Sequence, residues 1–404
     1  MKKIVISGGD ESNNIGDASI LASILTLLRK NINDADITVF ANDPEKIALQ
    51  FAVNTLYKGR KLFRRLCGLW REIRALYNTD LLIWGGGHLL QDKSSQLYIP
   101  FHLSKVFLAK VMGKRVAAYA IGVGPIDKQI GRVLTKYIVN KIDFISVRDK
   151  ESKEVLKNVG VRRPIHVTVD PAILLSPINQ ERAKEILLEE KIIVDNNPLV
   201  GIAPRRWFHH RYGLVPVEYV VKHARWGPTQ RIKYEKLKAT IAYVADFLIS
   251  KMNAKIIFVP MYTCVGQEDD KVAYEIIEKM EHKHDAKVIN GSYTPQQVMG
   301  IFELMDLLIG MRMHSLILAA AVNIPIIGLN YSPKGTSFMQ RIGQENFSFN
   351  IEDDISVDTN TIIEKIQLIF SIKGKIKEDL KIKVRELQEK ALLNIHFILE
   401  MLEE

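Results

Sequence analysis

The chain has 404 residues, more than one ordinary hydrophobic core can hold, so we expect about two to three domains. A hydrophobic fraction of 47% and a charged fraction of 25% exclude a disordered chain. The formal charge of +10 suits an anionic ligand, an anionic lipid surface or nucleic acid. Nucleic acid is disfavoured, because the basic residues are dispersed and no nucleic-acid-binding motif is present.

Cysteines and apolar runs bear on the compartment. Cys67 and Cys264 lie far apart and have no nearby partner, so neither a disulfide framework nor a zinc site is indicated. The first apolar run stops at Ile6, too early for a signal peptide, and no later run approaches the ~18 residues of a spanning helix. We therefore expect a cytoplasmic protein.

The chain begins with a predicted buried strand at residues 3–7, a polar loop GGDESNN and a helix running to about residue 30. Asn13, Asn14 and Asp17 lie at or near the start of that helix. The loop lacks the glycine spacing of dinucleotide sites and the Lys-Ser/Thr of a P-loop. It could bind a sugar or an acceptor hydroxyl, or it could supply only turn and cap chemistry.

Residues 60–77 predict a basic amphipathic helix after a second strand at 36–41. Its apolar face carries Leu62, Leu66, Leu69, Ile73 and Leu76. The pattern favours a solvated basic face above a stripe that packs on the core. It also allows peripheral contact with the anionic inner membrane surface.

Residues 80–92, DLLIWGGGHLLQD, predict a fully buried strand that ends in three glycines, followed by Asp92. Glycines such as Gly86 and Gly87 let a ligand or another segment approach the backbone closely. Helices separate further apolar strands, with Asp149 as the predicted N-cap of a helix at 150–158. These strands are predicted at 116–121, 144–147 and 167–169. The alternation predicts a parallel sheet covered on both faces.

A second strand–helix series follows a polar, Pro- and Asn-bounded segment at 176–198. Its first strand, 199–203, leads into Arg205 and Arg206. Residues 208–232 predict either a long loop or insertion near the site, or a disordered surface loop. The later elements are a helix at 233–252, a strand at 255–260, a helix at 271–284, a strand at 286–289 and a helix starting at Thr294-Pro295.

The stretch 306–334, DLLIGMRMHSLILAAAVNIPIIGLNYSPK, carries the densest set of candidate site residues. A strand end at 307–309 leads into a helix that starts with Arg312 and His314, and a strand at 326–329 leads into a loop with Lys334. Ligands bind at such strand ends in open parallel sheets. An isolated histidine is more often a satisfied core residue, but the two flanking cations favour a site. Helices near 361–370 and 376–402 close the chain.

Five segments together resemble the polysaccharide pyruvyl transferase family: SNNIGDASIL, DLLIWGGGHLLQD, FISVRDKES, VDPAILL and GMRMHSLILAAAVNIPIIGLNYSPK. The resemblance covers about residues 3–345 and departs at His88, where the family more often has a small residue. It implies an α/β, GT-B-like fold with two Rossmann-like, doubly wound parallel-sheet domains facing a cleft. Residues 1–178 would form the acceptor side and 195–350 the donor side, with helices in 360–404 returning to the first domain.

The resemblance also implies a reaction in which the pyruvyl group of phosphoenolpyruvate moves to a sugar of a cell-wall, capsular or exopolysaccharide precursor. The product is a cyclic ketal, and phosphate is released. The implied catalytic residues are His314, Arg205 and Lys334, and Arg205, Arg312, Lys334 and Arg148 would bind the donor. The acceptor, a lipid-linked or nucleotide-linked saccharide, would contact Asn14, Asp17, Gly86, Gly87 and Asp92. Phosphoenolpyruvate is the co-substrate, with no other cofactor or metal, and the oligomeric state stays open.

The chemistry asks for such residues independently of the resemblance. A donor with a phosphate and a carboxylate needs at least two fixed cations, and each proton transfer needs a group that titrates near neutrality. A helix N-terminus and Arg312 beside His314 would favour its neutral ring. Two alternatives remain. One is a nucleotide-sugar-dependent glycosyltransferase on the same fold, for which Glu268-Asp269-Asp270 could bind a ribose, and the other is a non-catalytic glycan-binding scaffold.

Overall fold

The structure is a computed structural model of the chain. It describes residues 1–8, 13–57, 62–92, 95–207, 227–264, 266–351 and 358–403, and only the backbone of residues 62–69. Within these ranges the chain forms two parallel sheets that are flanked by helices. No helix in the described ranges is both long enough and apolar enough to cross a membrane.

The first sheet has the strand order β3-β2-β1-β4-β6-β7-β8, with β5 paired to β6. Its strands are β1 (Lys2–Ser7), β2 (Ala35–Ala41), β3 (Asn54–Tyr57), β4 (Leu81–Gly85), β5 (His88–Leu90), β6 (Arg115–Val123), β7 (Phe144–Val147) and β8 (His166–Val167). Its helices are α1 (Ile15–Asn31), α2 (Pro44–Phe51), α3 (Leu62–Asn78), α4 (Tyr98–Val111), α5 (Gln129–Val139) and α6 (Lys150–Val159).

The second sheet has the strand order β11-β10-β9-β12-β13-β14. Its strands are β9 (Leu199–Ala203), β10 (Lys255–Phe258), β11 (Ala286–Val288), β12 (Leu307–Gly310), β13 (Ile326–Asn330) and β14 (Ser348–Asn350). The remaining helices are α7 (Gln180–Glu189), α8 (Pro228–Met252), α9 (Asp269–Ile277), α10 (Pro295–Glu303), α11 (Met313–Ala321), α12 (Pro333–Arg341), α13 (Thr359–Ser371) and α14 (Lys373–Glu403).

Both sheets are buried on both faces, as their continuous apolar strands predict. Leu81 to Trp84 of β4 have no exposed surface, although neighbouring side chains point to opposite faces of the sheet. Such strands are typical of parallel sheets covered by helices. One apolar cluster covers one face of the first sheet, and a second runs from its other face through α14 into the second sheet.

The C-terminal helix α14 returns to the first sheet, as the resemblance implied. The buried amide oxygen of Asn394 accepts hydrogen bonds from Ser146 Oγ (2.6 Å) and Thr168 Oγ1 (3.1 Å). Gln388 Nε2 donates to the carbonyl of Ile173 at 3.0 Å. These contacts attach the last helix to the ends of β7 and β8. The exact domain boundaries stay a prediction.

The structure corrects three predicted elements. Lys334 lies in a helix rather than a loop, because Pro333 occupies the first turn of α12, where its fixed φ is favourable. Helix α8 starts at Pro228, inside the predicted 208–232 loop, and residues 208–226 lie outside the described ranges. The helix predicted at 271–284 ends at Ile277, since Asp246 accepts hydrogen bonds from the N–H groups that follow it at 281 and 282.

Helix α3 matches the predicted basic amphipathic helix in its position. Leu76 is fully buried and Ile73 is partly buried, as the predicted core-facing stripe requires. Trp70, on the same helix, is 73% exposed. The side chains of Leu62, Leu66 and Leu69 lie outside the described part of the structure, so the first half of the stripe stays a prediction.

Candidate active site

Arg205 lies just beyond β9, at the carboxyl end of the second sheet. Its guanidinium carbon is 4.1 Å from the centre of the Tyr331 ring, which follows β13. Its Nε is buried and has no hydrogen-bond partner in the described ranges. Burial lowers the pKa of Arg205, and the nearby Arg312 cation lowers it further. Tyr331 and the charge of Asp269 oppose this fall in the pKa. Because no carboxylate of a described residue is hydrogen-bonded to it, Arg205 is a half-buried cation whose charge is only partly compensated.

Arg312 precedes α11 at its N-cap position, and its charge is compensated. Its Nε and Nη2 donate to the two carboxylate oxygens of Asp269 at 2.9 and 2.6 Å, and Nη2 also donates to Gln267 at 2.9 Å. Asp269 has no exposed surface. Burial raises the pKa of Asp269, while the Arg312 charge opposes that rise. The two arginines thus differ, because Arg312 is hydrogen-bonded to both carboxylate oxygens of Asp269, whereas Arg205 has no hydrogen-bonded carboxylate among the described residues.

His314 lies in the first turn of α11 and faces the first sheet. Its Nε2 is 3.4 Å from Oδ2 of Asp170, which also accepts a hydrogen bond from Arg148 Nη1 at 2.7 Å. The backbone N–H of Ala172 donates to the other oxygen at 3.1 Å. Burial would raise the pKa of Asp170, but His314, Arg148 and this N–H together lower it. A histidine of one sheet and a carboxylate–arginine pair of the other therefore meet across the cleft.

This arrangement differs from the electrostatics predicted for His314. The sequence placed Arg312 beside the ring as an uncompensated cation that favours the neutral imidazole. In the structure Arg312 is paired with Asp269, and the carboxylate next to the ring is that of Asp170. Asp170 belongs to the VDPAILL segment, and its position at a strand end was the signal that could have identified it.

Two glycines make the close approach of these side chains feasible. A Cβ on residue 16, in the first turn of α1, would lie 2.3 Å from Nδ1 of His314. A Cβ on residue 122 would lie 2.9 Å from the Arg148 guanidinium. A larger residue at either position would displace a side chain of the site, so Gly16 and Gly122 are needed for the observed positions of His314 and Arg148.

Lys334 reaches across the cleft from the first turn of α12. Its Nζ lies 2.8 Å from Nδ1 of His88 and 3.5 Å from the carbonyl of Val123. A Cβ on residue 124 would come within 2.6 Å of the His88 ring, so Gly124 leaves the space that the ring fills. The sequence marked His88 only as a departure from the family pattern. Its contact with a candidate catalytic lysine, 246 residues away, was not predictable from the spacing.

The predicted acceptor residues of the first sheet have partners within the chain. Asn14 caps α1, accepting from the N–H groups of Gly16 (3.0 Å) and Asp17 (3.4 Å), and its Nδ2 donates to Asp17 Oδ2 at 3.0 Å. Asp92 is buried and accepts from the N–H groups of residues 127 and 128 at 3.1 and 2.6 Å. Their acceptor role stays a prediction.

The glycine loop lies beside the start of α1. Gly86 and Gly87 have φ values of 86° and 143°, a region that favours glycine. A Cβ on residue 87 would lie 3.5 Å from Oδ1 of Asp17. The structure therefore brings Gly87 and Asp17 together, whereas Asp92 is turned towards the backbone after β6.

Acidic residues 268–270, the candidate ribose site of a glycosyltransferase, are divided among three surroundings. Glu268 pairs with Arg206 at 3.3 Å and with Lys271 at 2.5 Å, and Asp269 is held by Arg312. Oδ1 of Asp270 is buried and has no hydrogen-bond partner among the described residues. Within the described part of the chain, no group of three or more His, Cys, Asp or Glu side chains could hold a metal ion.

A family comparison now decides the classification. The model of the polysaccharide pyruvyl transferase family matches residues 14–333. The chain belongs to this family. It is also 20% identical over 415 residues to the amylovoran biosynthesis protein AmsJ of Erwinia amylovora, covering 93% of this chain and 94% of that protein. This membership places the protein among the transferases that act on polysaccharides.

Solved structures support the fold. The chain is similar to the UDP-GlcNAc 2-epimerase of Neisseria meningitidis, with a TM-score of 0.62, 13% identity and coverage of 99% of this chain and 100% of that one. It is also similar to a glycosyltransferase from Rickettsia africae, with a TM-score of 0.60, 14% identity and coverage of 100% and 99%. At such identities the likeness concerns the fold alone, and it confirms the predicted GT-B-like α/β architecture.

Proposed function

We propose that the protein moves the pyruvyl group of phosphoenolpyruvate onto a sugar of a cell-envelope or extracellular polysaccharide precursor, as a cyclic ketal. The observation that carries this proposal is Arg205, a half-buried guanidinium at the edge of the cleft to which no carboxylate of a described residue is hydrogen-bonded. Burying a poorly compensated charge is unfavourable unless an anion offsets it. The family membership and the relative AmsJ support a polysaccharide as the object of the reaction.

The donor would lie between Arg205 and Lys334, which follow β9 and β13. Phosphoenolpyruvate has a phosphate and a carboxylate, so two cations on separate strand ends suit its two charged groups. Arg312 would lie near the donor as a fixed cation, because its Nε and Nη2 are already bonded to Asp269 and Gln267. Arg148, bonded to Asp170, would add positive potential from the first sheet.

The chemical steps require one proton relay. A proton is added to C3 of the donor, and a sugar hydroxyl attacks the C2 that this makes electrophilic, losing its own proton. Phosphate then leaves from C2, and a neighbouring hydroxyl of the same sugar closes the ketal and gives up its proton. We assign these transfers to His314, whose Nε2 lies 3.4 Å from Oδ2 of Asp170 without a hydrogen bond of good geometry between them, so the carboxylate would favour the imidazolium formed during the transfer.

The acceptor would be a lipid-linked or nucleotide-linked saccharide that approaches from the first sheet, near Asp17 and Gly87. A cytoplasmic protein in peripheral contact with the inner membrane surface through α3 would meet a lipid-linked acceptor there. The exposed Trp70 and the basic character of that helix support such a contact. Phosphoenolpyruvate would be the only co-substrate.

The test is a reaction of the purified protein with phosphoenolpyruvate and a set of lipid-linked and nucleotide-linked saccharides. We expect phosphate release that depends on the acceptor, with a matching mass gain of one pyruvyl ketal on that acceptor. Phosphate released without a modified acceptor would indicate hydrolysis only. A mass gain that needs a sugar nucleotide instead of phosphoenolpyruvate would replace this proposal.

The second candidate is a nucleotide-sugar-dependent glycosyltransferase, favoured by the fold of the neighbours and by the unpartnered oxygen of Asp270. The bonded state of Glu268 and Asp269 weighs against it, because a ribose would have to displace Arg206 or Arg312. Replacing phosphoenolpyruvate by UDP-, GDP- and ADP-sugars in the same assay separates the two activities. A non-catalytic scaffold would be active in neither assay.

A further inference from the structure

A cavity of about 830 Å³ opens beside the candidate active site, on the other side of the start of α1. It lies between the starts of α1 and α2 in the first half of the fold and the segments that follow β10 and β11 in the second. Ligand sites typically measure ~300–1,000 Å³, so the cavity has the volume of a site. Arg205, His314 and Lys334 do not line it, and the proposed pyruvyl transfer makes no use of it, although Asp270 of the second candidate function is among its lining residues.

Backbone pairing joins the two halves of the fold at the edge of this cavity. The N–H of Ile15 donates to the carbonyl of Met261 at 2.9 Å, and the N–H of Thr263 donates to the carbonyl of Asn13 at 3.2 Å. The wall is therefore formed by both sheets, and its shape depends on how they are held together. This is the position in which a ligand common to both halves would bind.

The charge of the cavity is opposite to that of the chain. Asp43, Glu45 and Asp270 contribute three carboxylates, whereas Lys46 is the one lysine or arginine among the lining residues that the structure describes. Its ammonium donates to the amide oxygen of Asn13 at 2.7 Å. A phosphate or nucleotide diphosphate would be repelled by the three carboxylates at short range.

Asp270 is a half-buried carboxylate in the wall of the cavity. Its Oδ1 is closed off from the cavity and accepts no hydrogen bond from any described residue, so a ligand could contact only the remaining part of the group. An ionised carboxylate can only accept hydrogen bonds. Together with Asp43 and Glu45, Asp270 therefore favours a ligand that brings donors, and hydroxyl groups are the neutral groups that do so.

The other walls suit the apolar face of a ligand. Ala18, Val259 and Val298 line the cavity, together with Tyr293. The Tyr293 hydroxyl donates to Glu190 at 2.7 Å, and burial and that hydrogen bond both raise the pKa of Tyr293 and keep the hydroxyl protonated. A Cβ on residue 291 would lie 2.5 Å from its ring, so Gly291 is required for this ring position.

We propose that the cavity binds a neutral sugar unit of the acceptor, next to the unit that is modified. Carboxylates that accept from hydroxyl groups, beside an aromatic and an aliphatic wall, form a surface matched to an uncharged pyranose. The first turn of α1 connects the two sites, since Ile15 and Ala18 line the cavity while Gly16 packs against His314. A helix with its side chains is about 10–12 Å across, so an acceptor that occupies both sites must carry several sugar units and pass around the start of α1.

Binding of a neutral saccharide stands on the cavity alone, whereas its role as part of the acceptor rests on the proposed function. The acceptor is accordingly at least a disaccharide, and a monosaccharide would fill only the position at His314. The cavity would thus supply affinity and selectivity for the chain that carries the modified sugar, while the cationic side supplies the chemistry.

The test uses the full-length chain on an array of neutral and acidic bacterial saccharides of one to four units, followed by calorimetry with the strongest binder. Asp270→Ala removes one of the three carboxylates of the cavity, and Thr263→Trp fills the cavity from its exposed rim without touching the core. Asp379→Ala, an exposed aspartate on α14, is the matched control. Thermal unfolding of each variant verifies that it is folded.

We expect neutral di- to tetrasaccharides to bind, with affinity reduced about 10- to 100-fold in Asp270→Ala, as for a lost hydrogen bond to a charged group. Thr263→Trp should abolish binding and Asp379→Ala should leave it unchanged. The proposal is overturned if no neutral saccharide binds, or if both cavity variants bind as the wild type does. Selective binding of acidic saccharides, or competition by free UDP that depends on Asp270, would overturn it as well.

Titration with phosphoenolpyruvate separates this inference from the proposed function. The Asp270→Ala variant should bind phosphoenolpyruvate like the wild type, because the cations of the donor site lie outside the cavity. If the wild type binds a neutral saccharide but not phosphoenolpyruvate, the proposed function fails and the cavity remains a saccharide site. If pyruvyl transfer occurs while the cavity variants act normally on oligosaccharides, only the cavity assignment fails.

Discussion

The carboxyl edge of the second sheet has two halves that differ in charge. One half is formed by the ends of three strands with cationic residues, and the other by the ends of two strands that line the acidic cavity. The ends of β9, β12 and β13 carry Arg205, Arg312, His314 and Lys334, which we call the cationic side. The ends of β10 and β11 line the acidic cavity with amide, hydroxyl and apolar groups. The Arg312–Asp269 pair lies between them, and the next residue, Asp270, already belongs to the cavity.

This difference shows how little a net charge says about a binding site. The formal charge of +10 predicts an anionic ligand, and the cationic side fits one. The adjoining cavity of the same cleft fits a neutral ligand instead. The proposed transfer from a charged donor to a neutral sugar would use both kinds of surface, and the four predictions below test this division of labour.

The largest effect is expected at His314, where the two sides meet. His314→Ala should lower turnover by ~10²–10⁴-fold, the usual contribution of a general acid–base residue. Binding of phosphoenolpyruvate should change little, because Arg205 and Lys334 supply the charge that holds it. Steady-state kinetics and donor titration measure the two quantities separately, with the exposed His396→Ala as control.

Two outcomes would contradict the assignment of His314. A variant that loses several kcal/mol of unfolding free energy would support the alternative of a core histidine with a structural role. A folded variant with normal turnover would show that the chemistry lies elsewhere, with Arg148 or a histidine in residues 208–232 as the next candidate. Either result would mean that His314 does not connect the chemistry of the cationic side with a sugar bound in the acidic cavity.

The second largest effect is expected at Asp170, whose substitution should lower the stability of the fold as well as the reaction rate. Asp170→Asn leaves Arg148 buried with only the more distant carboxylate of Asp149, at 3.9 Å, which should lower the free energy of unfolding by about 3 kcal/mol near neutral pH. The pKa of Asp170 is lowered in the folded protein, so its stabilisation is complete above the unfolded pKa and is lost as pH falls through the folded pKa.

Urea denaturation between pH 3 and pH 7 tests this sign. The difference between the wild type and Asp170→Asn should be constant near neutrality and should shrink below about pH 4, where an unfolded aspartate takes up its proton. A difference that grows towards acid pH would contradict the lowered pKa. A difference near zero at all pH values would mean that the His314–Asp170–Arg148 contact does not support the cationic side.

Arg205 should affect binding rather than rate. Arg205→Ala should weaken phosphoenolpyruvate binding by about 1.5–3 kcal/mol, the range for a hydrogen bond with a charged group. Calorimetric titration measures this, with Arg385→Ala on the exposed face of α14 as the matched control. Saccharide binding in the acidic cavity should be unaffected. Unchanged donor affinity would show that the anion binds elsewhere, and the distinction between the two sides would fail.

The fold was predictable because local patterns determine it. Continuous apolar runs identified the strands, and Asp149 caps α6 as predicted, accepting from the N–H of Ser152 at 2.7 Å. Asn14 caps α1, which is one of the two roles that the sequence left open for its loop. The start of α12 was also available from Pro333 but was interpreted as a loop. Local chemistry therefore identifies elements well, and their ends less well.

The sequence predicted which residues gather at the candidate site, but not the hydrogen-bond partner of each. Strand-end position brought Arg205, His314 and Lys334 to one edge, as the rule for parallel sheets implies. The bonds that give them different roles are long-range, such as Arg312 to Asp269, 43 residues apart. No spacing rule predicts which carboxylate turns towards which cation, and the acidic cavity depends on loops from both halves of the fold.

The smallest effect is expected at His88, which bears on how the cationic side is held across the cleft. The ammonium of Lys334 donates to its ring at 2.8 Å, so His88→Ala removes one partner and leaves the charge in place. The loss should be about 0.5–1.5 kcal/mol in donor binding, the net value of one hydrogen bond. A rise in KM for phosphoenolpyruvate of about 3- to 10-fold, with kcat nearly unchanged, would show that His88 positions Lys334. His88→Gln, which keeps an acceptor, should recover most of the affinity, because Gly124 leaves room for a long side chain. If His88→Ala instead lowered kcat as strongly as His314→Ala, the second histidine would take part in proton transfer, and the chemistry would extend from the second sheet into the first.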